Sequence, residues 1–77
     1  MDMEGTVRTV LKELEIDTDS MHAGTRLRED LQVDSTELVE IAVALERVVP
    51  VAIDIDDILA VQTFADLVTC VRKAPRR

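Results

Sequence analysis

Cysteine and histidine each occur once in this 77-residue chain, as Cys70 and His22. One cysteine closes no internal disulfide, which points to a reducing cytosol. One His and one Cys cannot build a zinc cage, and as a nucleophile–base pair they rest on chance proximity. They read as a surface histidine and a half-buried structural cysteine. With Gly5 and Gly24 as the only glycines, there is no glycine-rich phosphate loop. No run approaches the roughly 18 apolar residues of a membrane span. The opening Met1-Asp2-Met3-Glu4 is acidic where a signal peptide is basic, so no leader is expected. Paired acids invite a calcium reading, and it fails twice. A loop begun at Asp17 puts Arg28 where a bidentate Glu is needed; one begun at Asp54 puts Leu59 at the glycine position and Ala65 at the Glu position. No catalytic set can be assembled, and neither enzymatic activity nor a metal site is expected.

Bases are scarce in the body of the chain. Sixteen acids face nine Lys and Arg, for a net charge of −7, and Arg72, Lys73, Arg76 and Arg77 crowd the last six residues. Residues 1–71 therefore carry a net −11. Phosphate backbones reward the opposite sign, which excludes nucleic acid as a partner. Two readings of the acidity stay open: it steers in partners with basic docking surfaces, or it serves solubility alone. At 47% apolar residues the chain is too hydrophobic for disorder and long enough for one small folded domain. Phe64 is the single aromatic residue, with no Trp and no Tyr. A core of Leu, Ile, Val and Ala lacks rigid rings. It either parts to admit an apolar guest or is an ordinary aliphatic core of a small helical domain.

Helical periodicity dominates what is present. Met3, Val7, Val10, Leu11 and Leu14 form one apolar stripe, opposed by Glu4, Arg8, Lys12 and Glu15. This predicts a first helix of about twelve residues capped near Asp2. Residues 16–33 hold the turn formers Asp17, Thr18, Asp19, Ser20 and Gly24, and read as a long loop. Leu27 and Leu31, at i and i+4, would anchor a short helical turn within it. The second helix is predicted to start at Asp34 as N-cap, with Glu37 reaching back to the cap. Leu38, Ile41, Ala42, Leu45 and Val49 share its buried face; Glu37, Glu40, Ala44 and Arg47 lie opposite, and Pro50 stops it. Residues 48–55 are rich in β-branched residues, but Pro50 and the lack of a partner strand argue against a strand. Residues 54–60 read as a short acidic-capped helix. Thr63 and Asp66 open a last helix, with Phe64, Leu67, Val68 and Val71 inward and Pro75 ending it. Three longer helices and one short one predict an all-α bundle.

Ser35 stands at the start of the second helix, just after the long loop and beside the capping Asp34. An anion grafted onto it would be favoured by the first-turn N–H groups and the helix dipole. Asp and Ser are also ordinary cap residues, so the pair alone decides nothing. One and two turns onward, Val39 and Val43 continue the same edge outside the buried face, fringed by Glu37, Glu40 and Glu46. Such a strip supplies contact area, and its acids supply steering and register.

The segment Leu27-Arg28-Glu29-Asp30-Leu31-Gln32-Val33-Asp34-Ser35-Thr36-Glu37-Leu38-Val39-Glu40 resembles the phosphopantetheine attachment site of acyl carrier proteins. The likeness covers nearly the whole chain, down to the Val61-Gln62-Thr63-Phe64-Ala65-Asp66-Leu67 entry to the last helix. It implies a four-helix carrier bundle with a long first loop and a short third helix. The carrier domain would span residues 1–74, with a basic disordered tail over 75–77. A phosphopantetheinyl transferase would move 4′-phosphopantetheine from coenzyme A to Ser35, and the arm would hold acyl groups as thioesters. The implied recognition residues are Asp34, Thr36, Glu37, Val39, Glu40, Val43 and Glu46 on the second helix and Asp56 and Asp57 on the third. Implied partners are an acyltransferase or an acyl or aminoacyl ligase, and a ketosynthase or other enzymes with basic docking surfaces. No membrane is implied, and a cytoplasmic monomer is the expectation.

Two positions depart from the family pattern. Gln32 stands where glycine is usual, so a left-handed backbone there would carry strain. Thr36 replaces the usual Leu or Met, removing an apolar contact offered to partners. This leans away from housekeeping fatty-acid synthesis toward a dedicated polyketide, hybrid or antibiotic pathway. An aminoacyl or peptidyl carrier of nonribosomal synthesis shares the fold and the serine, although the acidity favours the acyl type. An unmodified acidic helical adaptor is the third reading.

Overall fold

Five helices make up the computed structural model, which describes residues 2–77. They are α1 (Met3–Glu13), α2 (Leu27–Leu31), α3 (Ser35–Val48), α4 (Ile55–Leu59) and α5 (Phe64–Lys73). Among the described residues there are no strands, only isolated bridges pairing Arg26 with Thr63 and Val51 with Arg76. The fold class is all-α, as the periodicity predicts. The fifth helix is α2: the turn expected at Leu27 and Leu31 closes into a five-residue helix inside the long loop.

Every helix but α2, whose N-cap Arg26 makes no side-chain cap bond, begins where a short polar side chain replaces the missing backbone acceptor. The Asp2 carboxylate accepts from the amides of Glu4 and Gly5, Asp34 from Glu37, and Asp54 from Asp56. Thr63 and Asp66 form a complete capping box. At α3 only half of the expected box is present. Asp34 accepts from Glu37 N–H at 2.9 Å, but the Glu37 carboxylate makes no return bond. The cap at α3 therefore rests on the Asp34 side chain alone.

The predicted stripes bury, with Met3 and Leu14 at the two ends of the first only partly covered. Val7, Val10 and Leu11 of α1, Leu38, Ile41, Ala42 and Leu45 of α3, and Phe64, Leu67, Val68 and Val71 of α5 meet in one core. Leu27, Val49 and Ile58 join from the connections and the short helices. Packing of α3 against α1 and α4, and of α5 against α1 and α4, leaves one edge of α3 free.

Arg8 corrects the helical-wheel reading, which put it on the solvent side. It is half-buried, and its guanidinium donates to the carbonyls of Thr18 (3.2 Å) and Met21 (3.4 Å). It also stands 5.2 Å from the centre of the Phe64 ring. The loop folds back over α1 and gives the cation three partners at once. Further along, amides of Phe64 and Ala65 donate to the carbonyls of Thr25 and Ala23, and Leu27 N–H to Gln62 O. The loop is thus tied at both α1 and the start of α5. Residues 75–77, expected to fray, pair with the α3–α4 connection: Ala52 N–H donates to Pro75 O and Arg77 N–H to Pro50 O. Arg77 also donates to the Glu46 carbonyl near the end of α3, where a cation is favoured by the helix dipole.

Candidate functional site

Ser35 is the first residue of α3, and its side chain is exposed. Its position follows from four local facts. Leu27 is fully buried and anchors α2. Gln32 then turns the chain in the left-handed region, at φ 57° and ψ 34°. Val33 is buried, and Asp34 caps the new helix. The Ser35 hydroxyl oxygen consequently faces α2, where Arg28 Nη1 donates to it at 3.3 Å. The amides of Ser35 and Thr36 belong to the first turn and have no intrahelical acceptor. A diester phosphate on Oγ would find open space, first-turn N–H donors and a guanidinium. The residues present fit such a group.

The free edge of α3 continues from Ser35. Thr36 and Glu40 are exposed, Val39 is half-buried, and Val43 is 44% exposed. A surface groove of about 280 Å³ runs beside Val39 and Val43, closed by Leu14, Ala44 and Arg47. Arg28 and Glu29 line a second groove of about 520 Å³ with Leu59, Ala60 and Val61 at the end of α4. Asp56 and Asp57 lie exposed in the first turn of α4, next to Ile55, which is 46% exposed. Exposed Ile55 had no separate signal in the sequence, because a β-branched residue before a short helix reads equally well as core.

Not every acid on this face is free. Glu46 is half-buried, and its carboxylate accepts the Ile53 amide at 2.7 Å, tying α3 to the segment before α4. Glu37 is half-buried. Asp30 accepts the Arg26 amide at 2.9 Å and pairs with its guanidinium at 3.5 Å. That amide hydrogen bond, helped by the Arg26 charge, holds the Asp30 carboxyl below the usual range. Arg28 is the residue that sequence reasoning missed. It lies seven positions before Ser35, and only the reversal at Gln32 brings the two together.

His22 and Cys70 do not join Ser35. His22 is exposed in the loop, with Nδ1 accepting the Gly24 amide at 3.2 Å. Cys70 is partly buried in α5; burial, reinforced by the charges of Asp57 and Asp54, pushes its thiol pKa up. A raised pKa keeps the sulfur protonated and weakly nucleophilic. No helix is long and apolar enough to cross a membrane among the described residues.

Comparison with known proteins agrees with this geometry. Residues 5–71 match the family described as phosphopantetheine attachment site. The chain is also 37% identical, over 65 residues, to acyl carrier protein 3 of Ralstonia nicotianae, an alignment covering 84% of this chain and 75% of that protein. Members of this family are carriers rather than catalysts, and they work with a phosphopantetheinyl transferase and with biosynthetic enzymes. With its match spanning α1 through α5, the chain belongs to the acyl carrier protein family, whose cofactor is 4′-phosphopantetheine.

Proposed function

We propose that Ser35 is the attachment residue and that the chain tethers acyl intermediates there for delivery to partner enzymes of polyketide, hybrid or fatty-acid-type biosynthesis. The observation that carries this reading is the placement of one exposed serine hydroxyl at the first residue of α3, with Asp34 capping beside it. A serine here offers its oxygen to an incoming phosphoryl group without unfolding anything. The helix terminus then favours the charge it acquires. When bound, the arm supplies a thiol that holds the acyl group as a thioester. The chain's own part is to keep that arm at an accessible helix start within a single carrier domain over residues 1–74.

Partners are recognised along the free edge of α3 and the start of α4. Val39 and Val43 provide apolar contact, Asp34, Thr36, Glu37 and Glu40 frame the serine, and Asp56 and Asp57 extend the acidic rim. Glu46 acts on this surface indirectly, by fixing the Ile53 backbone. Basic docking surfaces on the transferase, the acyltransferase or ligase and the ketosynthase would meet a face of opposite sign, speeding encounter. Thr36, exposed where the family usually has Leu or Met, favours enzymes of a dedicated pathway. A cytoplasmic setting accords with a single free thiol at Cys70.

Incubation with coenzyme A, magnesium and a promiscuous phosphopantetheinyl transferase tests the reading. Intact mass should rise by one phosphopantetheine on the wild type and not on Ser35→Ala, with helix content equal in both. An equal gain on the alanine variant would move the site elsewhere. No gain on the folded wild type would mean that Gln32 and Thr36 mark a lost modification site.

A further inference from the structure

Among the described residues the single ion pair is Arg26 with Asp30. Arg28, two positions away, has no carboxylate within pairing distance, although Glu29, Asp30, Asp34 and Glu37 surround it in sequence. Its one hydrogen bond goes to the Ser35 hydroxyl, at 3.3 Å. A guanidinium donating to an exposed neutral hydroxyl gains little, because water serves it as well. The same fork facing a diester phosphate meets a full charge and two acceptor oxygens.

We propose that Arg28 is the built-in counter-ion of the phosphodiester on Ser35 and orients the first atoms of the arm. This rests on Ser35 being the attachment residue. A phosphorus bonded to Oγ would carry its charged oxygens next to the atom that Arg28 already reaches. Arg28 is held to this task from below. Leu27, beside it, is fully buried, and the left-handed Gln32 fixes the angle between α2 and α3. Arg26 cannot take the role, since Asp30 holds both its amide and its guanidinium. Arg28 is therefore a positioning residue, and it neutralises one charge where the arm leaves the protein.

The test compares apo and loaded full-length chain, wild type against Arg28→Gln and Arg28→Lys, all loaded to completion as judged by intact mass. Loading should shift the Arg28 Nε–Hε signal in the wild type, and sodium chloride near 1 M should reverse that shift by screening. The phosphorus-31 signal of the loaded wild type should differ from that of the Gln variant, with the Lys variant between them. Loading should also raise the wild-type Tm by about 2–4 °C more than that of the Gln variant, as an exposed charge pair gives a chain of this length. An Arg28 signal unmoved by a confirmed mass gain overturns the proposal and leaves Ser35 as the attachment residue. So does a phosphorus-31 signal shared by wild type and Gln variant. No mass gain on the wild type overturns the Ser35 reading instead, and the counter-ion with it. If the Gln variant resists loading, the wild-type Nε–Hε shift decides alone.

Discussion

Gln32 sits squarely in the left-handed helical region, where its Cβ crowds the following carbonyl. The strain that the departure from glycine implies is present, and the turn that sets Ser35 against α2 is kept in spite of it. Buried neighbours on both sides, Leu27 and Val33, over-determine the turn. Gln32→Gly should therefore stabilise the chain. Relief of about 1–2 kcal/mol, less the entropy glycine loses on folding, leaves roughly 0.5–1 kcal/mol. Thermal unfolding should show a Tm higher by about 3–6 °C; a lower Tm would show that the side chain of Gln32 contributes more than its backbone costs. Asp30 gives a pH signature. Its carboxyl is held below the usual range by the Arg26 amide, so its contribution is fully present above the ordinary carboxylate pKa and lost as pH falls through the lowered one. The stability difference between wild type and Asp30→Asn should shrink as pH drops from 5 to about 2. Carbon-13 titration of the Asp30 carboxyl should report the lowered midpoint.

The helices were legible because their causes are local. Asp2, Asp34, Asp54 and Thr63 sit at the starts the cap pattern predicts, and the apolar stripes of α1, α3 and α5 bury the residues their spacing assigns. Pro50 and Pro75 follow helix ends within two residues. What could not be read was decided by contacts between segments distant in sequence. Arg8 looks like a solvent residue on a helical wheel, and only the returning loop supplies the carbonyls of Thr18 and Met21. Arg28 needed the fold at Gln32 to find Ser35. Glu46 reads as a docking acid, and only the fold brings the Ile53 amide to its carboxylate. Arg8→Gln should loosen residues 16–26 while leaving α1 and α3 in place. Amide exchange in that segment should speed up by about tenfold, the loss of roughly 1–1.5 kcal/mol of charge-assisted bonding. Exchange spread evenly over the chain would show instead that Arg8 supports the whole core.

For the molecule as a whole, charge and shape are divided between two tasks. The core is aliphatic apart from Phe64 and holds α1, α3, α4 and α5 together, while the free edge of α3 stays open beside Ser35. Four of the nine bases lie beyond residue 71, and the body keeps its acids for the outer face. Reversing Glu37 and Glu40 to Lys should therefore lower the rate of loading by the transferase by about tenfold or more at low salt, with the deficit shrinking as salt rises. Equal rates at all salt concentrations would remove the docking face. The central claim is narrower and can be tested on one peptide. Trypsin cleaves after Arg28 and Arg47, and the fragment between them holds two hydroxyls, those of Ser35 and Thr36. Fragmentation of that peptide from the loaded wild type should place the whole added phosphopantetheine on Ser35. Phosphopantetheine on Thr36, or on any other peptide, would contradict the account.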